Sequence, residues 1–245
     1  MTTSSRRTKS IRAATRKVAG IKLRMALTAG VALSLGGFTA AATVASFTAE
    51  TTNPTNKFAT GTLVLSNKVN SGTACLSTAG ATTDTNTNGA CDNLFSLTVQ
   101  KPGDTSSANL TLQNVGSIAA SALKLFSSAC TDADAAGQSY HGTGSPCGNV
   151  QLTVQQWSDA GFSTPVACIY GGTTVANTCD FSDAAKTMGA YATAHTGSAN
   201  AQTIGSGLAA NGIGYFSVAV KMPSTAGNTY QGRQASIDFT WHLDQ

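Results

Sequence analysis

Five stretches of the chain carry an apolar residue at every second position. They are Phe95-Ser96-Leu97-Thr98-Val99, Leu110-Thr111-Leu112-Gln113, Val150-Gln151-Leu152-Thr153-Val154, Phe216-Ser217-Val218-Ala219-Val220 and Ile237-Asp238-Phe239-Thr240-Trp241-His242-Leu243. A period of two sets one face of an extended strand on a core and the other in water. Trp241 keeps phase with Ile237 and Phe239, which places it on the core side, and His242 on the polar side. Residues 62–65 predict the first strand of the domain. Turn chemistry separates the strands at Lys101-Pro102-Gly103-Asp104, from Asn114 to Gly116 and from Pro223 to Asn228. Helical periodicity is confined to residues 183–194, through Ala185, Met188 and Ala192. Short alternating strands divided by polar turns predict an all-β, antiparallel sandwich with one core. Residues 70–93, 127–149 and 170–212 are Thr-, Ser-, Asn-, Gly- and Ala-rich and read as long loops.

Charge divides the chain differently. Eight of the 15 Lys and Arg lie in residues 1–24, and all 11 acidic residues follow from Glu50 onward. Residues 25–45 carry no charge, are most apolar over 25–35, and end in the small residues Thr43-Val44-Ala45. A basic head, an apolar run and small residues before a cut predict a secretory signal peptide over residues 1–45. A retained anchor is the competing reading, since about 20 apolar residues span a bilayer. Gly30, Gly36, Gly37, Ser34 and the threonines make a poor permanent span, so none is expected after cleavage. The remainder holds seven Lys and Arg against 11 acids, a net charge of −4. That balance lacks the basic stripe that phosphates require, so nucleic acid is not an expected partner.

All six cysteines (Cys75, Cys91, Cys130, Cys147, Cys168 and Cys179) fall in the part expected to be exported. No CxxC spacing is present for a zinc ribbon or a thioredoxin-like site. An even count in an exported chain favours disulfides. Six cysteines allow 15 pairings, and spacing alone does not choose among them. The sequential set Cys75–Cys91, Cys130–Cys147 and Cys168–Cys179 is the expectation here, because each bridge would close a loop poor in apolar residues.

Four stretches resemble the TasA/camelysin family of secreted bacterial proteins. They are Ser46-Phe47-Thr48 with Asn53-Pro54-Thr55-Asn56-Lys57-Phe58-Ala59-Thr60-Gly61-Thr62-Leu63-Val64-Leu65; Lys101-Pro102-Gly103-Asp104; Leu110-Thr111-Leu112-Gln113-Asn114-Val115-Gly116-Ser117; and Gly227-Asn228-Thr229-Tyr230-Gln231-Gly232 leading into residues 235–245. The resemblance implies a jelly-roll sandwich over residues 61–245, here with long disulfide-stapled loops. It implies a fibre subunit of the biofilm matrix whose partner is a second copy of itself, and export through a dedicated signal peptidase. It also implies that residues 46–60 are a donor segment, with Ser46, Phe47, Thr48 and Phe58 as the polymerisation residues. Composition is compatible with that role, since Pro54 bars the segment from a central strand while Phe47 and Phe58 supply anchors.

Camelysin-type members are described as metalloproteases, so catalysis must be weighed. His141, His195 and His242 are the only histidines, none belongs to an H-E-x-x-H helix, and Glu50 is the only glutamate. No catalytic residue or cofactor is therefore expected. One loop matches part of a calcium motif: Asp84, Asn86, Asn88 and Asp92 stand at alternating oxygen-ligand positions around Gly89. Phe95 occupies the place where an EF-hand carries its glutamate, and a Thr/Asn-rich loop produces such matches by composition. A surface adhesin or carbohydrate-binding module on the same fold is the alternative function. Its candidate contacts are Trp157 and Tyr170, which border loops.

Overall fold

The computed structural model describes residues 57, 59–80, 86–95 and 101–245. The chain separates into Met1–Asn56 and Lys57–Gln245, and only the second unit is described below. Its strands are β1 (Leu65–Val69), β2 (Cys75–Leu76), β3 (Thr105–Asn114), β4 (Ala122–Ser127), β5 (Thr131–Asp134), β6 (Gln151–Trp157), β7 (Pro165–Tyr170), β8 (Gly172–Val175) and β9 (Thr178–Asp180). Helix α1 (Met188–Ala194) follows, then β10 (Gln202–Ser206), β11 (Ile213–Lys221), β12 (Arg233–Ser236) and β13 (Phe239–Asp244). A six-stranded antiparallel sheet runs in the order β2-β1-β3-β11-β6-β7, and a three-stranded one in the order β10-β4-β13. β5 pairs with β12, and β8 with β9. The protein is an all-β sandwich.

Alternation explains how the two larger sheets meet. Ala108, Leu110 and Leu112 of β3, Phe216, Val218 and Val220 of β11, and Leu152 and Val154 of β6 point one way. They pack against Leu123 and Leu125 of β4, Ile204 of β10, and Trp241 and Leu243 of β13. Phe216 and Trp241 meet across the sandwich with ring centroids 5.5 Å apart. Each fully buried Leu, Val or Phe contributes about 1.5–3 kcal/mol by leaving water, so this interior dominates stability. Gln202 of β10 donates to the Ile169 carbonyl of β7 at 2.9 Å and ties the two sheets together at that side.

Helix α1 closes one end of the sandwich. The predicted helix over 183–194 begins five residues later than expected. Asp183 turns its carboxylate onto the Ala185 N–H at 2.9 Å, a local bond that competes with helix formation. Thr187 then caps the helix by accepting from the Ala190 N–H at 3.2 Å. Tyr191 of the helix is fully buried and donates its hydroxyl to the Leu125 carbonyl at 3.3 Å.

Other expectations also move. Of the predicted strand 62–65 only Leu65 is in β1. Residues 62–64 form an irregular lead-in, held by Val115 N–H donating to the Val64 carbonyl and Ser117 N–H to that of Thr62, both at 2.8 Å. The last strand starts at Phe239 instead of Ile237: residues 237–238 link β12 to β13 outside either ladder, with the Asp238 N–H donating to the Ser128 hydroxyl and the Ser128 N–H to the Asp238 carbonyl, both at 2.9 Å. Phe95 lies outside any strand, and residues 96–100 are outside the described set. The three predicted loops carry short strands: β2 in the first, β5 in the second, and β8, β9 and β10 with α1 in the third.

Three disulfides join Cys75–Cys91, Cys130–Cys147 and Cys168–Cys179, which is the sequential set. No cysteine remains free. The chain-entropy model credits closing a loop of this size with about 3 kcal/mol. Three such bridges place the domain in an oxidising compartment. Among the described residues, no helix is long and apolar enough to cross a membrane.

Candidate functional site

The two central motifs resolve into turn-builders. Asn114 is fully buried; its side-chain amide donates to the carbonyls of Ile118 (2.8 Å) and Leu208 (3.0 Å), and its oxygen accepts from the Gly116 N–H (3.0 Å). Gly116 has no room for a Cβ, because the Thr62 carbonyl lies where one would stand. The Asn-Val-Gly-Ser turn therefore pins the lead-in to β1. Asp104 accepts from the Lys101 N–H at 2.8 Å, and Gly103 has φ 94°, a conformation that glycine adopts without strain. Ser46, Phe47, Thr48 and Phe58 lie outside the described residues, while Lys57, Ala59, Thr60 and Gly61 are exposed.

Two of the four calcium candidates are engaged by protein partners. Asn86 accepts from the Ser77 hydroxyl at 2.7 Å and donates to the Leu63 carbonyl. Asn88 accepts from the Ala90 N–H and donates to the Leu76 carbonyl, both at 2.9 Å. Asp92 is exposed beside Gly72, and Asp84 lies outside the described residues. These bonds orient the Asn86 and Asn88 oxygens toward protein donors. Among the described residues, no three His, Cys, Asp or Glu side chains gather as a metal would require.

The histidines stand apart from one another in role and place. His141 pairs through Nδ1 with the Gly232 carbonyl at 2.8 Å, beside the β5–β12 pair. His195 ends helix α1 and pairs with the Asn200 carbonyl at 3.0 Å. His242 is exposed on β13, with Nε2 2.9 Å from Asp244, whose other oxygen meets Lys124 at 2.5 Å. Those contacts, the Lys124 bond foremost, hold the Asp244 carboxyl below the usual carboxylate range. A shallow cavity of about 190 Å³ beside Cys130 is lined by Ala129, Gly189, Ala192, Thr193 and Thr196, with no charged side chain to act in it.

The adhesin candidates separate. Tyr170 is occupied: its hydroxyl donates to the Thr187 carbonyl at 3.2 Å and its ring stands edge-on to Tyr191 at 4.9 Å. Trp157 is half-buried on the outer side of the six-stranded sheet, and its indole N–H donates to Ser217 at 2.8 Å. Its register partner on β11 is Tyr215, whose ring meets Phe162 edge-on at 6.0 Å. Neither Tyr215 nor Phe162 carries a signal in the sequence, since strand register and the fold of the β6–β7 turn bring them together. Phe162 has φ 53°, whereas the other non-glycine residues with positive φ among the described residues are Asn70, Asn177 and Asn211. Asparagine adopts that region readily; a phenylalanine there costs about 1–3 kcal/mol. Asp159 holds the turn by accepting from Gly161 N–H (2.9 Å), Thr164 N–H (2.9 Å) and the Ser163 hydroxyl (3.0 Å). The same bonds, that from Thr164 foremost, lower the Asp159 pKa.

On the rest of β6 the outer side is covered. The β8–β9 hairpin lies over it, and Cys168–Cys179 staples that flap to β7. Gln155 accepts from the Cys179 N–H at 2.7 Å and donates to the carbonyls of Ala167 (2.8 Å) and Asn177 (2.9 Å). Gln151 donates to the carbonyls of Phe181 (3.0 Å) and Asp183 (3.2 Å). The Trp157 end of the strand is left half-exposed. No family model matches this chain, and no curated protein is significantly similar to it.

Proposed function

We propose that this chain is an exported structural subunit that polymerises head-to-tail into extracellular fibres, each copy donating residues 46–60 to the next, on a sandwich of jelly-roll type. The observation that carries the reading is the start of the domain. The described core draws on Leu63 and later residues, while Lys57, Ala59, Thr60 and Gly61 are exposed. A segment joined to its domain through such an exposed stretch can be lent to a neighbour. Among the described residues, its two larger sheets end in strands β2, β7, β10 and β13, and a sheet edge accepts an extended peptide through backbone hydrogen bonds. Repetition of one heterologous contact generates a filament instead of a closed ring. The four stretches that resemble TasA/camelysin proteins support the same role, as do the three disulfides of a domain built for an oxidising exterior.

Electron microscopy and light scattering of the chain from residue 46, beside a chain beginning at Thr60, test the reading. The longer chain should form filaments of regular repeat and the shorter should stay monomeric. Identical filaments from both, or none from the longer chain, would refute donation.

A further inference from the structure

We propose that the outer face of the six-stranded sheet binds a neutral polysaccharide on an aromatic platform made by Trp157, Tyr215 and Phe162. The inference does not rest on the fibre reading. Register sets Lys68, Thr111, Tyr215 and Trp157 side by side on β1, β3, β11 and β6, in one row across the sheet. Neighbouring strands lie about 4.8 Å apart, so the row extends roughly 14 Å. All three rings are half-buried, which leaves aromatic surface in water. Sugar rings present C–H faces to such surfaces and hydroxyls to their polar rims, and an aromatic side chain supplies that area with little conformational loss.

The rim has the right chemistry. On the same face, Thr111, Gln113 and Asn109 of β3 and Ser217 of β11 offer hydroxyls and amides. The row contains one charge, Lys68, and no carboxylate. Asp159, in the adjoining turn, is saturated by its own backbone and side-chain donors. A row with a single charge, rimmed by amides and hydroxyls, complements a neutral chain better than a polyanion or a basic peptide.

Two local irregularities converge on the platform. The β6–β7 register shifts between Gln156 and Trp157, and such shifts re-aim side chains. Phe162 adopts the left-handed conformation noted above while packing on Tyr215. The flap that covers Gln151, Thr153 and Gln155 leaves this end of β6 half-exposed.

Affinity electrophoresis of the chain from residue 46 through gels containing glucomannan, xylan, laminarin or hydroxyethylcellulose tests the proposal. At least one polysaccharide should retard the protein and change the emission of Trp157, read in a Trp241→Phe background. Trp157→Ala and Tyr215→Ala should each weaken binding about tenfold, with Trp157→Phe retaining part of it. Circular dichroism and the melting temperature would establish that these variants are folded. Should Tyr215→Ala unfold the chain, Thr111→Lys supplies a second probe, since it obstructs the row from a half-buried position outside the aromatic packing. Three results would overturn the proposal: no retardation by any of the four polysaccharides, retardation indifferent to Trp157→Ala and Thr111→Lys, or loss of self-association without any change in sugar binding. The last would make the face a contact between copies.

Discussion

From Gln151 to Gln155 strand β6 is inaccessible on both of its faces, and the two faces exclude water by different means. On the inner side Leu152 and Val154 are each 0% exposed among apolar neighbours from both sheets. On the outer side Gln151, Thr153 and Gln155 are 6%, 6% and 4% exposed, yet every one is polar. The inner side is held by apolar area, which is non-directional and tolerates reshuffling of similar volumes. The outer side is held by directed hydrogen bonds to the flap, and each buried amide must find its partner or carry a desolvation cost. A flap secured this way needs a staple, because polar contacts alone yield little net stability in competition with water. Cys168–Cys179 is that staple.

Three perturbations sharpen the contrast. Leu152→Ala removes buried area from the inner side and should destabilise the domain by about 2–5 kcal/mol in chemical denaturation. Cys168→Ser combined with Cys179→Ser should cost about 2–3 kcal/mol. Its signature should be regional: hydrogen exchange should accelerate over residues 168–180 and leave β3 and β11 protected. Uniform acceleration would show that the flap and the core open together, and the contrast would fail. Gln155→Ala should cost about 1–3 kcal/mol, since it strands the Cys179 N–H and two carbonyls behind the flap. Gln155→Leu should not rescue it, although the same apolar replacement would be mild on the inner side.

A fourth test uses pH and concerns the tyrosines at the end of the sandwich. Burial foremost, with the Asp183 charge second, pushes the Tyr170 phenol up to about 12. Burial, with Tyr170 second, raises Tyr191 as well. A phenol is neutral when protonated, and with the folded-state pKa raised the unfolded chain ionises first, so each step up in pH beyond the ordinary phenol value favours unfolding. The contribution of these groups to stability is complete below about pH 10 and is lost as pH climbs toward the raised value. The denaturation midpoint should be insensitive to these groups near neutrality and fall between about pH 10 and 12. Tyr170→Phe with Tyr191→Phe should flatten that fall. Phenolate absorbance from these two residues should rise together with unfolding instead of ahead of it.

Much of the architecture is legible where the alternation is strong. Leu110 to Gln113 and Phe216 to Val220 sit inside β3 and β11, and Trp241 is in the core where its phase with Phe239 puts it. The weakly patterned stretches hide β5, β8, β9 and β10, because strands made of Thr, Gly, Asp and Ser carry no period-two contrast. The candidate platform was half visible. Trp157 stands out as one of two tryptophans. Tyr215 and Phe162 do not, since only the β6–β11 register and one left-handed residue place them beside it. Within the calcium-like spacing, the amides of Asn86 and Asn88 also serve the loop, a use that the spacing alone does not reveal.

By itself, then, the sequence determined that this is a stack of antiparallel strands with a core on alternate residues, because a two-residue period admits no other economical burial. It also determined where loops would need staples, since runs of Thr, Ser, Asn and Gly have little to bury. Only the tertiary structure decided which polar residues of β6 are covered and which end of the strand meets water. The reason is physical: Gln155 and Cys179 are 24 residues apart, and their bond exists only once the flap has folded back across the sheet.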